Sequence, residues 1–484
     1  MLSAMRVVII GAGMAGILSA IKLTEAGIDD VEVIEKADGV GGTWRENTYP
    51  GVACDVPSHL YSYSFDLNPD WSHVYSPGDE IREYFERVSR DHDVERLIRF
   101  GEEVVRCEYG DGRWELATAS GYETSADVVI AATGVLHHPR MPDIDGLDRF
   151  EGHMFHTARW DHDVPLDDRR VGVIGTGSTA VQIVCALADR VAHLDMYQRT
   201  AQWILPQENP EYTAEQHAEF RGDPKALDTL HWNLSDLFAE GFANAVVDAD
   251  SPQIKMIEQL CLENLEQNVA DDALREELRP DYKAACKRLV VSPDFYEAIQ
   301  HPHAELVTEA IECIEPSGVR TRDGELRELD VLVLGTGFKV DSFMRPMSVI
   351  GKNGVKLDDV WADRPIAYLS ISIPEFPNLF MLNGPNGPVG NFSLIEVAEL
   401  QFAYIMQLIE KLRSGEADEI AASHEATEQF EVDRAEQATH TVWFTGCRSW
   451  YLDDRGIPAA WPWKFERFRE RMAAPDLDDY EVLP

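Results

Sequence analysis

The chain opens on an apolar, β-branched run, Arg6-Val-Val-Ile-Ile10, that turns at once into Gly11-Ala-Gly13-Met-Ala-Gly16. A helical pattern follows from Ile17 to Ala26 and stops at Gly27, and Val31-Glu-Val-Ile-Glu35 reads as a second strand ending in an acid. Strand, glycine turn, helix and strand form a βαβ unit. Gly11 permits the tight turn, Gly13 lets the backbone approach a pyrophosphate, and Gly16 lets helix and strand pack closely. The helix N-terminus offers N–H groups and a positive dipole end to phosphates, and Glu35 can accept hydrogen bonds from a ribose.

The pattern recurs. Arg170-Val-Gly-Val-Ile174 leads into Gly175-Thr-Gly177-Ser-Thr-Ala180, a helix is predicted from about Val181 to Ala188, and His193-Leu-Asp-Met-Tyr197 is the next strand. Where the first unit has its acid, the second has Gln198-Arg199-Thr200. An arginine there suits a 2′-phosphate, which an acid would repel. The first unit therefore reads as an FAD or NAD site and the second as an NADP site. Ala126–Gly134 and Leu329–Gly337 are apolar strands ending in Thr133-Gly134 and Thr336-Gly337, each expected to return to its own sheet beside its own nucleotide. From about Pro206 to Arg279 the pattern turns helical and polar, with no strand run. Phe380–Gly384 reads as a late strand, and Pro385–Asn391 as a loop of breakers. Ser393–Leu412 is then a long helix.

Composition narrows the partners. Lys+Arg total 43 and Asp+Glu 86, a formal charge of −43. Such a surface repels nucleic acid and anionic lipid, and neither is expected as a partner. The 7 cysteines are odd in number, widely spaced and free of any C-x-x-C, which fits a reducing cytoplasm and argues against a disulfide scaffold, a zinc ribbon or a redox motif; no metal site is expected. No apolar run approaches ~18 residues, so no membrane span is expected, and the N-terminus enters a strand rather than a signal peptide.

Two further segments carry a resemblance. Gly42-Thr43-Trp44 through Tyr49-Pro50-Gly51 to Asp55 matches G-x-W-x-x-x-x-[YF]-P-G-x-x-x-D, and Phe150-Glu-Gly152 through His156 to Trp160-Asp161 matches F-x-G-x-x-x-H-x-x-x-W-[PD]. With both glycine turns present, essentially the whole chain resembles the type I Baeyer–Villiger monooxygenases. The resemblance implies an α/β fold of two Rossmann-like dinucleotide-binding domains. Residues 1–145 and 343–484 would bind FAD, residues 146–205 and 287–342 would bind NADPH, and residues 206–286 would be a helical insertion in the second. It also implies the activity. NADPH reduces the flavin, the flavin captures O2, and the resulting peroxyflavin attacks a ketone to give an ester or lactone.

A peroxide anion and a developing alkoxide call for a fixed cation, and arginine is the suitable residue. In this family an Arg preceded by a Lys follows the insertion, so the resemblance assigns catalysis to Arg288, held and oriented by Asp55. Lys287 would join Arg199 at the 2′-phosphate. The FAD site would use Gly11, Gly13, Gly16, Glu35, Lys36, Gly42, Thr43, Trp44, Asp55, Tyr61, Thr133 and Gly134. The NADPH site would use Gly175, Thr176, Gly177, Ser178, Thr179, Arg199, Thr200, Lys287, Thr336, Gly337 and Trp450, the last resembling a family Trp that contacts the nicotinamide ribose. His156, at the junction of the domains, is read as conformational rather than as a general base. Trp232, Phe238, Phe242, Phe343, Trp443 and Phe444 suggest a small hydrophobic ketone. The alternative is a flavin-containing N- or S-oxygenase acting on soft nucleophiles. A disulfide reductase is set aside because Cys54 stands alone near the first unit, and two intact nucleotide sites with Asp55 and Arg288 oppose a non-catalytic NADP sensor.

Overall fold

The computed structural model describes residues 5–484. The opening run, Arg6–Ile10, is the middle strand of a five-stranded parallel sheet ordered Leu379–Met381, Val128–Ala131, Arg6–Ile10, Asp30–Ile34, Ile98–Arg99. A parallel sheet must be covered on both faces. Val7 and Ile9 pack with the helices Met14–Glu25, Gly78–Asp91 and Leu394–Ser414. Val8 and Ile10 pack with a second, mainly antiparallel sheet built from Ser348–Ile350, Val104–Gly110, Arg113–Thr118 and Glu123–Ala126.

The second glycine turn repeats the plan. Its parallel sheet is ordered Ala304–Val307, His193–Tyr197, Arg170–Ile174, Val331–Leu334, His153–His156. Val171 and Val173 face the helices Ser178–Leu187 and Phe295–Ile299. Ile174, Leu332 and Leu334 face an antiparallel sheet of Ile311–Glu315, Gly318–Thr321 and Leu326–Glu328. Each Thr-Gly strand pairs with the glycine-turn strand of its own sheet, as the sequence predicts.

The segment between the sheets is helical: Ala214–Gly222, Pro224–Phe238, Pro252–Asn268 and Asp272–Glu277. Each begins on a side chain that accepts a first-turn N–H: Thr213 (in a capping box with Gln216), Asp223, Ser251 and Asp271. This segment docks on more than the second sheet. His231 Nδ1 donates to the His59 carbonyl at 2.7 Å, and Ser235 Oγ donates to Glu396 at 2.6 Å. Ile254 and Cys261 pack with Trp203, Leu289, Trp443 and Tyr451.

One expectation is corrected. Cys286 and Cys447, 161 residues apart, are joined by a disulfide, while Cys54, Cys107, Cys185, Cys261 and Cys313 are free. The spacing of cysteines along the chain carries no sign of a pair created by folding a C-terminal segment back across the end of the insertion. Among the described residues no helix is long and apolar enough to cross a membrane.

Glu399 gives the fold a pH dependence. It lies on Leu394–Ser414 and accepts from Ser64 N at 2.9 Å and Ser64 Oγ at 3.2 Å. Burial pushes its pKa from 4.5 up to about 7, against those hydrogen bonds. A carboxyl raised in the folded state binds its proton more tightly there than in the unfolded chain. Its contribution is therefore full below 4.5 and is lost as pH rises to about 7. Thermal unfolding across that window should show the wild type losing of order 2 kcal/mol that a Glu399→Gln variant does not lose.

Candidate active site

The first cradle is built by backbone that tolerates no side chain. Gly11 has φ +104°, and a Cβ there would lie 2.6 Å from the Ala132 carbonyl oxygen. A Cβ on Gly16 would lie 1.9 Å from the Gly11 carbonyl oxygen, so helix and strand touch only because it is glycine. Gly13 faces Gly42, whose φ is +54° and whose Cβ would lie 3.0 Å from Gly13 Cα. Glu35 is buried and accepts from Ala12 N at 2.6 Å and Ala37 N at 2.8 Å, which fixes its carboxylate at the end of its strand. Thr43 starts the short helix Thr43–Glu46, and Trp44 Nε1 donates to the Tyr61 hydroxyl at 3.1 Å. Lys36 lies 3.4 Å from Glu46. Thr133 and Gly134, the latter at φ +70°, close the strand beside Gly11.

The second cradle repeats this geometry. Gly175 has φ +131°, and its Cβ would lie 2.2 Å from the Gly335 carbonyl oxygen. Gly177, Ser178 and Thr179 lead into the helix Ser178–Leu187. Thr176 Oγ1 donates to the Thr200 carbonyl at 3.0 Å, tying the turn to the segment that carries Arg199. Arg199 is exposed. Burial and then the charge of Arg199 lower the Lys287 pKa, with Asp281 pulling the other way. Lys287 Nζ lies 4.9 Å over the Tyr282 ring. Thr336 Oγ1 donates to the Arg140 carbonyl at 2.6 Å, so it fastens the linker between the sheets. Gly337 follows at φ +80°.

The segment Tyr49–Asp55 brings the cradles together. Tyr49 donates to Gln182 Oε1 at 2.8 Å and accepts from Thr179 Oγ1 at 3.2 Å; burial pushes its hydroxyl up to about 12, so it remains a donor. Gln182 Nε2 donates to the Ala53 carbonyl at 3.1 Å. Gly51 has φ +80°, and a Cβ there would meet the Gln182 carbonyl oxygen at 2.6 Å. Two residues beyond Ala53 lies Asp55. Arg288 Nη2 reaches both Asp55 oxygens, at 2.7 and 2.6 Å, and Arg288 Nε reaches Asp55 Oδ2 at 3.0 Å. Arg288 Nη1 donates to the Gly390 carbonyl at 3.1 Å. Desolvation opposes the guanidinium charge, but Asp55 outweighs it and the pKa is raised. Nη1 carries a second N–H beyond the one given to Gly390, and 34% of the side chain remains open.

The comparisons with known proteins agree with this layout. The pyridine nucleotide-disulphide oxidoreductase family profile matches residues 8–221, the span of both glycine turns. The chain is 48% identical to an uncharacterized monooxygenase of Mycobacterium tuberculosis, over 98% of this chain and 96% of that one. It is 37% identical to a Baeyer–Villiger monooxygenase of Streptomyces coelicolor, over 99% of this chain and 92% of that one. Cyclohexanone monooxygenase from Rhodococcus bound to NADP+ superposes with a TM-score of 0.89 at 30% identity, over 99% of both chains.

The chain belongs to the type I Baeyer–Villiger monooxygenase family. It is a flavoprotein monooxygenase, and the family's FAD and NADPH fit its two cradles: an acid ends the first βαβ unit, and Arg199 follows the second. In this monooxygenase His156 is buried and its Nδ1 accepts from Ala158 N at 3.1 Å. Burial lowers its pKa, which favours the neutral ring that caps the turn Thr157–Arg159. Of the six aromatic residues that suggest a hydrophobic substrate, Phe238 and Phe242 pair edge to face at 5.8 Å. Phe343 packs behind the first sheet, Phe238 against the helices in front of it, and Trp443 and Phe242 against the insertion, while Trp232 and Phe444 are exposed. Trp450 is exposed and stacks on Tyr451 at 4.0 Å. Sequence reasoning missed Gln182, Gly390 and Tyr451. Nothing local marks Gln182 or Gly390, whereas Tyr451 adjoins Trp450. Replacing Arg199 and Lys287 together by alanine should raise KM for NADPH by at least about ten-fold, given ~1.5 kcal/mol or more per charged hydrogen bond, and leave NADH use unchanged. Steady-state kinetics with both nucleotides checks this.

Proposed function

We propose that this monooxygenase inserts one oxygen atom from O2 beside the carbonyl of a small hydrophobic ketone, giving an ester or lactone, with Arg288 as the catalytic cation and Asp55 as the carboxylate that orients it. The supporting observation is the forked Arg288–Asp55 pair, with Nη1 turned away from Asp55 toward Gly390. FAD, reduced by NADPH, supplies the activated oxygen when bound. The chain's own part is binding, orientation and charge. Gly11, Gly13, Gly16 and Gly42 admit the FAD pyrophosphate, and Glu35 receives its ribose. Gly175 and Gly177 would admit the NADPH pyrophosphate, Arg199 and Lys287 would hold its 2′-phosphate, and Trp450 would contact its nicotinamide ribose. Arg288 directs its second Nη1 hydrogen at oxygen that gains negative charge. A donor fixed beforehand stabilises that charge without reorganising at the moment of reaction.

The test is a panel of ketones and sulfides with NADPH and O2, read by mass spectrometry. Ketones should gain one oxygen atom as ester. Sulfoxides from the sulfides, with no ester from any ketone, would replace this reading by the N- or S-oxygenase.

A further inference from the structure

The Cys286–Cys447 disulfide and the ring of Tyr451 belong to one arrangement. Cys286 stands two residues before Arg288, and Cys447 four before Tyr451. The C-terminal segment is thus bound covalently to the start of the stretch that carries the catalytic cation. Both segments meet again at the carbonyl of Gly390, on the loop Pro385–Asn391. The Tyr451 hydroxyl donates to the Gly390 carbonyl at 3.2 Å, the same oxygen that accepts from Arg288 Nη1 at 3.1 Å. Gly390 leaves no slack: its φ is +85°, and a Cβ would lie 2.4 Å from the Tyr451 hydroxyl. Tyr451 is buried, stacked on Trp443 at 5.0 Å and beside Trp450 at 4.0 Å, so its hydroxyl cannot swing elsewhere. Burial raises its pKa, opposed by the charge and hydrogen bonding of the adjacent Arg288, and the hydroxyl stays protonated as a donor.

We propose that Tyr451 is a positioning residue for Arg288, acting through the Gly390 carbonyl, and that the Cys286–Cys447 disulfide anchors the segment that presents it. Asp55 fixes one edge of the guanidinium and Gly390 fixes the Nη1 that carries the second N–H. A carbonyl held by Tyr451 therefore sets the direction of that second N–H. The proposal rests on the assignment of Arg288 above.

The experiment compares Arg288→Ala, Tyr451→Phe and Cys447→Ser as FAD-loaded proteins. It reads ketone turnover, sulfoxidation, KM for NADPH and thermal midpoint. Tyr451→Phe keeps the stacked ring and removes one hydrogen bond. Its kcat for ketone should fall about five-fold, the rate equivalent of one hydrogen bond, with KM for NADPH and sulfoxidation unchanged. Cys447→Ser should fall in the same direction and with the same selectivity. Thiol titration of the unfolded wild type should find five free thiols before reduction and all seven cysteines after it. A merely structural role would lower sulfoxidation, thermal midpoint and ketone turnover together, and that result overturns the proposal. So does unchanged ketone turnover in Tyr451→Phe when Arg288→Ala has lost it, or seven free thiols without reductant. Ketone turnover retained in Arg288→Ala would instead overturn the assignment of Arg288 itself.

Discussion

Alanine in place of Arg288 should cut ketone oxygenation by about 100- to 1000-fold in kcat, the usual loss when one preorganised donor is removed from a developing oxyanion. Sulfoxidation should survive, because oxygen transfer to a soft nucleophile leaves no anion for the guanidinium to hold. The contrast between the two substrates separates a chemical role from damage to the fold, which would depress both. Lysine should restore only a fraction of the ketone rate. A point charge on a flexible stem cannot reproduce the forked contact with both Asp55 oxygens while also donating to the Gly390 carbonyl. Ester yield per unit of enzyme, measured for wild type, alanine and lysine variants, decides it. An alanine variant within a few-fold of wild type on ketones would remove the guanidinium from the reaction.

Valine in place of Gly16 should produce protein without bound flavin. The Cβ would sit 1.9 Å from the Gly11 carbonyl oxygen, a backbone atom that cannot rotate away. Relief requires the helix Met14–Glu25 to move off the strand Arg6–Ile10, and that helix N-terminus is the one proposed to receive the FAD phosphates. Overpacking of a close contact commonly costs about 1–3 kcal/mol, and here the displacement also opens the cradle. The check is the flavin absorbance of the purified protein and its return on adding FAD.

Most of this architecture could be read from the chain, because it is local. The two βαβ units show themselves by apolar strands, glycine turns and the residue that ends each second strand, all within one stretch of sequence apiece. Arg288 and Asp55 are a different case. No spacing joins residues so far apart, and their pairing was expected only from the resemblance of two motifs. The parts that stayed hidden arise from contacts between distant segments. Gln182 gains its role from a helix face that meets Tyr49, Gly51 and Ala53; Gly390 gains its role from a carbonyl, which has no side-chain signature. The disulfide was misjudged because odd number and wide spacing describe the chain, whereas pairing describes the fold.

The pinch between Gly51 and the Gln182 carbonyl has a kinematic consequence. The two cradles share a contact with no side chain between them, close to Asp55 and so to the reacting centre. A rearrangement that preserves it must swing one cradle about that point. Displacements are then small near the pivot and grow toward the outer rims, so each nucleotide's far end can shift by much more than the chemistry between them.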